Sequence, residues 1–231
     1  MGLALSKESR SPEDYRGALE VVRAEGRRLS RIVGDLFLLA RADAGQQPLV
    51  ANELYLDELV SDCVRAVRSL AVRRSVQVHC TMDPLAPADV DRGDVGPPLY
   101  HAYRGDEELL RRLLVNLLDN AIKHAPAGST VDVDLASDAY GHRLRVTDHG
   151  PGIPPEARGH VFERFFRADA SHTRDAESET GGAGLGLAIA RWVAEAHGGS
   201  LSLVTSRAGE TVFDAWLPRK LPVPSVQLVE A

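Results

Sequence analysis

The sequence has little cysteine, few aromatic residues and no long apolar run. Its two cysteines, Cys63 and Cys80, show no CxxC spacing. They read as small buried residues of a reducing compartment and not as a disulfide framework or a thiolate metal site. Aromatic residues make up 5% of the chain, and Lys and Arg form no basic block. With a formal net charge of −6, this argues against a nucleic-acid binder, although a phosphate site needs only local donors. No hydrophobic stretch approaches the length of a membrane span, and the N-terminus lacks a signal-peptide pattern. The expectation is a cytoplasmic chain, with any membrane attachment made through a sensor region outside this sequence.

Hydrophobic content is 44% and charged content 26% over 231 residues, enough for one good core and a smaller appendage. Residues 13–43 read as one long helix, with Leu19, Val22, Leu29, Val33, Leu36 and Ala40 along a heptad-like seam interrupted at Gly26. Ser11 and Pro12 suit its start and Gly45 its end. Residues 3–8 fit the last turns of a preceding helix. Beyond Pro48 the pattern becomes mixed: an extended piece at Leu54, a helix capped by Asp57 and running to about Val72, and a strand at 76–80. Residues 84–98 read as loop. A helix from about Glu107 to His124 is capped by Asp106, and strands are expected at 131–135, 143–147, 201–204 and 212–217 around a helix at 185–196. Helices and antiparallel hairpins on one sheet make an α+β, two-layer sandwich. The expected domains are 1–47, 48–218 and a loose tail at 219–231.

Three segments carry chemistry. Asn116-Leu-Leu-Asp-Asn-Ala-Ile-Lys123 places Asn116, Asn120 and Lys123 at i, i+4 and i+7, on one face of an otherwise oily helix. An amide oxygen suits a hard cation and a lysine suits a phosphate; a polar side that simply faces water is the alternative. Asp148-His-Gly-Pro-Gly-Ile153 leaves a strand, with Gly150 and Gly152 allowing tight turns and Asp148 able to accept from an exocyclic amine such as that of adenine. Gly181-Gly-Ala-Gly-Leu-Gly-Leu187 enters a helix, and Gly182, Gly184 and Gly186 expose backbone N–H groups to an anion. It is neither a Walker loop nor a Rossmann fingerprint. Between the glycine segments lies Phe162-Glu-Arg-Phe-Phe-Arg167, whose phenylalanines can anchor a mobile segment while Arg164 and Arg167 could reach phosphates; surface packing with solvated arginines is the alternative and, for this segment alone, the simpler reading. The polar stretch after it, with Arg174, Asp175, Glu177 and Glu179, has the composition of a lid.

In this order the segments resemble the N, G1, F and G2 boxes of sensor histidine kinases, within the gyrase, chaperone, histidine-kinase and mismatch-repair ATPase superfamily. The resemblance spans about residues 13–218 and implies a Bergerat-type ATP-binding fold preceded by a long helix from an incomplete helical hairpin. It implies ATP and Mg²⁺ as cofactors, with Asn120 on the metal, Asn116 and Lys123 on the metal–phosphate assembly, and His124 near the nucleotide. Asp148 would hydrogen-bond adenine, with Gly150, Gly152 and Ile153 forming the wall beside it. Gly182, Gly184, Leu185, Gly186 and Leu187 would cover the phosphates, and Thr211, in Gly209-Glu-Thr-Val-Phe213, would lie near the base. His149 departs from the asparagine most common at its position. Hydrolytic members place a glutamate where Asn116 stands; an amide cannot act as a general base, so steady ATP hydrolysis is not expected.

The eight histidines stand at 79, 101, 124, 142, 149, 160, 172 and 197, none in a His-Glu-Leu-Arg-Thr-Pro context. The resemblance therefore implies a catalytic ATP-binding part that serves an acceptor histidine elsewhere, on another chain or on a missing N-terminal segment, for relay to a response regulator. A truncated gene, a split kinase and an expressed fragment all fit. Partners expected are the response regulator and either an acceptor-bearing hairpin in trans or a homodimer formed through residues 13–43. A nucleotide-responsive binding module without transfer activity is the alternative.

Overall fold

The structure is a computed structural model that describes residues 11–82, 101–167 and 183–219. The expected helical turns at 3–8, the loop at 84–98, the acidic lid stretch with Gly181 and Gly182, and the tail beyond Arg219 lie outside the described residues. Those described fall into two compact units, 11–47 with Ala183 in one and 48–82, 101–167 and 184–219 in the other.

The first unit is helix α1 (Pro12–Asp43), 32 residues and so about 48 Å long at 1.5 Å per residue. Its start is a capping box: the Ser11 hydroxyl accepts the Asp14 amide and the Asp14 carboxylate accepts the Ser11 amide, satisfying two groups that the helix leaves unpaired. Gly45, at φ +64°, follows the C-cap Ala44. Leu19, Val22, Leu29 and Val33 along the seam are each more than half exposed.

The second unit begins with strand β1 (Asn52–Tyr55) and helix α2 (Leu56–Arg74), then β2 (Gln77–Met82), β3 (Ala102–Gly105) and helix α3 (Glu107–His124). Strands β4 (Thr130–Ser137) and β5 (Gly141–Asp148) follow, then a 3₁₀ turn at Pro155–His160, helix α4 (Gly186–Ala196), and the hairpin β6 (Ser200–Arg207) and β7 (Glu210–Pro218). The main sheet runs β2-β4-β5-β7-β6, and β1 with β3 forms a separate two-stranded ribbon. The architecture is the expected α+β sandwich. One pair differs from the expected antiparallel hairpins: β2 lies parallel to β4. Such a pair needs a crossover connection, and β3 and α3 lie within it. Tyr55, and not Asp57, is the N-cap of α2, and it makes no side-chain capping bond.

The alternation of the strands decides what faces the helices. Val131, Val133 and Leu135 on β4, Leu144 and Val146 on β5, and Phe213, Ala215 and Leu217 on β7 are buried. Leu110, Leu113, Leu114, Leu117, Leu118 and Ile122 of α3 are buried as well, each such side chain contributing about 1.5–3 kcal/mol. The opposite sheet face is polar, with Arg143 and Arg145 both paired to the buried Asp214 carboxylate. Cys63 is buried, which pushes its thiol up to about 11. Cys80 is exposed on the edge strand β2, contrary to expectation.

A polar cluster is buried at the end of the sheet where β5 begins. Ser137 Oγ lies 2.9 Å from His101 Nδ1 and 2.7 Å from His142 Nδ1. The ring of Tyr103 meets that of His142 edge-on, and His197 Nε2 accepts the Asp106 amide. No described helix is long and apolar enough to cross a membrane.

Candidate functional site

At the other end of β5, four elements converge. Helix α3 brings Asn116, Asn120 and Lys123, all half-buried, because its remaining faces are taken up by leucines. Lys123 Nζ sits 2.6 Å from Asp119, one turn back, an i, i+4 pair visible in the sequence but not assigned there a part in the site. His124, the last helical residue, is exposed.

Asp148 ends β5 with its side chain on the helix side of the sheet, 2% exposed. Its Oδ1 accepts the Gly150 amide at 2.9 Å, leaving Oδ2 as an acceptor. Burial raises the Asp148 carboxyl above its usual range, an effect opposed by the Gly150 N–H and by His124 and His149 nearby. Thr211 stands directly across from it on β7 and is also buried.

The glycines permit close approaches that a side chain would disturb. A Cβ on Gly150 would fall 2.6 Å from the His124 carbonyl oxygen and 2.7 Å from Asp148 Oδ1. One on Gly186, the first residue of α4, would fall 3.1 Å from Asn116 Oδ1. Gly184, at φ +71°, lies against the backbone of Phe165, which itself has φ +63° and donates its amide to the Gly184 carbonyl. The phenylalanine segment and the second glycine segment are thus joined backbone to backbone.

Leu185 is fully buried and Leu187 half-buried. Phe162 packs edge-on against Phe213 and carries the Arg191 guanidinium over its ring, while Phe166 stacks near His160. Arg164 and Arg167 are exposed. Gly182 lies outside the described residues.

Two further residues have no signal in the motifs. The Ser206 hydroxyl accepts the Ile153 amide at 2.6 Å. Asp132 reaches His149 from β4 at 3.1 Å. Both come from strands distant in sequence, so only strand pairing could reveal them.

Among the described residues no cluster of three His, Cys, Asp or Glu side chains could hold a metal by itself. The Asn120 amide beside Lys123 and Asp119 fits the weaker demand of Mg²⁺, which keeps waters and phosphate oxygens as most of its ligands.

Residues 105–221 match the family described as histidine kinase-, DNA gyrase B- and HSP90-like ATPase. The chain belongs to this family, and the matched segment is a nucleotide-handling, ATPase-type domain. The chain is 34% identical over 96% of its length to the sensor histidine kinase RppB of Synechocystis, of which it spans 44%. Of solved structures, a mycobacterial sensor histidine kinase, MprB, is 31% identical with a TM-score of 0.56, over 75% of this chain and all of that one. The histidine kinase ThkA, solved in complex with the response regulator TrrA, shares the fold at 20% identity with a TM-score of 0.65, over 94% of this chain and 55% of that one.

Proposed function

We propose that this chain is the ATP-binding catalytic part of a two-component sensor histidine kinase. One observation carries the reading. Gly186 lies against Asn116, while Gly150 lies against both Asp148 and the His124 carbonyl. The polar side of α3 therefore touches both the loop that follows the buried carboxylate and the start of α4.

In this reading Asp148 Oδ2 accepts from the adenine amine, with Thr211 beside it and Gly150, Gly152 and Ile153 as the wall of the base site. Asn120 holds Mg²⁺, and Asn116, Lys123 and His124 line the phosphate side. Gly184, Leu185, Gly186 and Leu187 offer backbone N–H groups over the phosphates, and Arg164 and Arg167 add positive charge. The metal supplies charge neutralisation on the phosphates. The side chains position the nucleotide, and positioning with charge stabilisation accounts for most of phosphoryl-transfer catalysis. Asn116 carries no group able to take a proton from water, so the γ-phosphoryl is held for transfer and hydrolysed slowly.

The acceptor is a histidine outside these 231 residues, and a response regulator receives the phosphoryl from it. The exposed apolar seam of α1 pairs with an acceptor-bearing hairpin or with a second copy. The test is to incubate the purified chain with γ-labelled ATP and Mg²⁺, with and without a helical hairpin bearing His-Glu-Leu-Arg-Thr-Pro from a related kinase. Acid-labile label on the hairpin alone is expected. Label on this chain alone would overturn the external acceptor. Tight nucleotide binding with no transfer would favour a nucleotide-responsive module.

A further inference from the structure

His149 follows the buried Asp148 and, by strand alternation, turns to the opposite face of the sheet. There its two ring nitrogens meet a turn and a strand distant in sequence. Nδ1 lies 3.0 Å from the Gly209 carbonyl oxygen in the β6–β7 turn, and Nε2 lies 3.1 Å from Asp132 Oδ2 on β4. Both partners are acceptors. A neutral imidazole has a single N–H and can satisfy only one of them; the imidazolium has two and satisfies both.

We infer that the His149 imidazolium is a proton-dependent clamp, closing the loop Asp148–Ile153 onto the β6–β7 hairpin and so positioning Asp148.

The rest of the loop meets the same hairpin through groups that do not titrate. The Gly209 amide donates to the Gly150 carbonyl at 2.8 Å, and Ile153 donates to the Ser206 hydroxyl. Gly152, at φ +80°, lies so close to the Arg207 backbone that a Cβ would fall 2.6 Å from its carbonyl oxygen. Among the described groups that bond this loop to the hairpin, His149 is the one that titrates. The charges that face it are few. Asp132 is shared with His79 of β2, whose Nδ1 is 3.6 Å from Oδ1. Asp148 adds negative charge from its own loop, with His124 acting on that carboxylate in turn. On the hairpin, Arg207 and Glu210 pair with each other at 2.7 Å. The Gly209 carbonyl, followed by the Asp132 carboxylate, raises His149 above the ordinary histidine value. A raised value means that the clamp is closed at lower pH and released as pH rises through the titration of His149.

The consequence for nucleotide rests on the reading of this loop as the base-facing wall of the ATP site. Affinity falls as pH rises, by about tenfold for each unit by which bound nucleotide raises the His149 value further. His149 is a positioning residue; it touches neither base nor phosphate in this reading.

Two measurements on the full chain, between pH 5.5 and 9, test it. ¹⁵N-histidine NMR should show both His149 nitrogens protonated at the acid end, with a midpoint above the ordinary 6.5 that drops in Asp132→Asn. Across the same midpoint, hydrogen-exchange protection of the Gly209 and Ile153 amides should step down, and the step should vanish in His149→Asn while His79→Gln retains it. Calorimetry with Mg·ADP, read as the ratio of wild type to His149→Asn at each pH, cancels the titration of the nucleotide itself. A midpoint at or below 6.5, or a protection step that survives in His149→Asn, overturns the clamp. A protection step with no nucleotide binding at any pH supports the clamp and overturns only the ATP-site reading. A protection step with nucleotide binding that shows no pH-dependent ratio overturns the positioning of Asp148.

Discussion

Asp148 and Thr211 stand opposite each other across the β5–β7 pair, both buried on the helix side of the sheet. A carboxylate placed there, with one oxygen held by the Gly150 amide, is an acceptor presented from a rigid strand end. Asp148→Ala removes that acceptor, and Mg·ADP affinity should fall by at least tenfold, as expected for a charge-assisted hydrogen bond of about 1.5–3 kcal/mol. Isothermal calorimetry checks this. Binding unchanged within twofold would mean that the base is held elsewhere.

Asn120 tests the metal separately from the base. In the wild type, chelation of Mg²⁺ should weaken ATP binding; in Asn120→Ala, affinity with and without Mg²⁺ should converge. A chelator effect of full size in the variant would place the metal on other ligands.

Two of the close-packed glycines should respond unequally. Gly150→Ala forces a methyl against the His124 backbone and Asp148 and should destabilise the fold by about 1–3 kcal/mol, with loss of nucleotide binding. Gly186→Ala meets only the Asn116 amide, at 3.1 Å, and should leave the unfolding midpoint nearly unchanged while weakening nucleotide. Urea unfolding and calorimetry on the pair would expose the reverse order.

Stability should fall in acid through His142. Burial and nearby positive charge push this ring down to about 4 from its usual 6.5, so below pH 6.5 the unfolded chain takes up a proton that the folded chain refuses. The stability is fully present above pH 6.5 and is lost progressively as pH falls toward about 4, by about 3 kcal/mol in all. Burial also lowers His197, in the same direction. Denaturant unfolding at a series of pH values should show a shallower slope for His142→Gln; an unchanged slope would assign the effect elsewhere.

The seam of α1 offers the last test. Val22 and Leu29 are 55% and 60% exposed, and Val22→Glu with Leu29→Glu should abolish any concentration-dependent association seen by sedimentation. Persistence of association would move the interface off this helix.

Much of this molecule is local and was legible from the chain. The Ser11 cap of α1, the Asp106 cap and leucine period of α3, and the order of the glycine and phenylalanine segments depend on residues within a turn or two of each other. Side-chain spacing and backbone propensity act over that range. Strand limits are less clear, and β3 carries no sequence signal because Tyr103 is the one strand-favouring residue in Ala-Tyr-Arg-Gly.

The pairings were another matter. That β2 runs parallel to β4, that Thr211 comes to rest opposite Asp148, and that Cys80 is exposed on an edge strand follow from register between segments distant in sequence. The contacts of Ser206 with Ile153, and of His149 with Asp132 and Gly209, have the same origin. Register is set by the burial of whole sheet faces at once, so no short segment contains it. The sequence by itself determined which chemical groups the motifs carry and in what order. The tertiary structure decided which of them face one another, and left His149 between two acceptors that only its protonated ring can satisfy together.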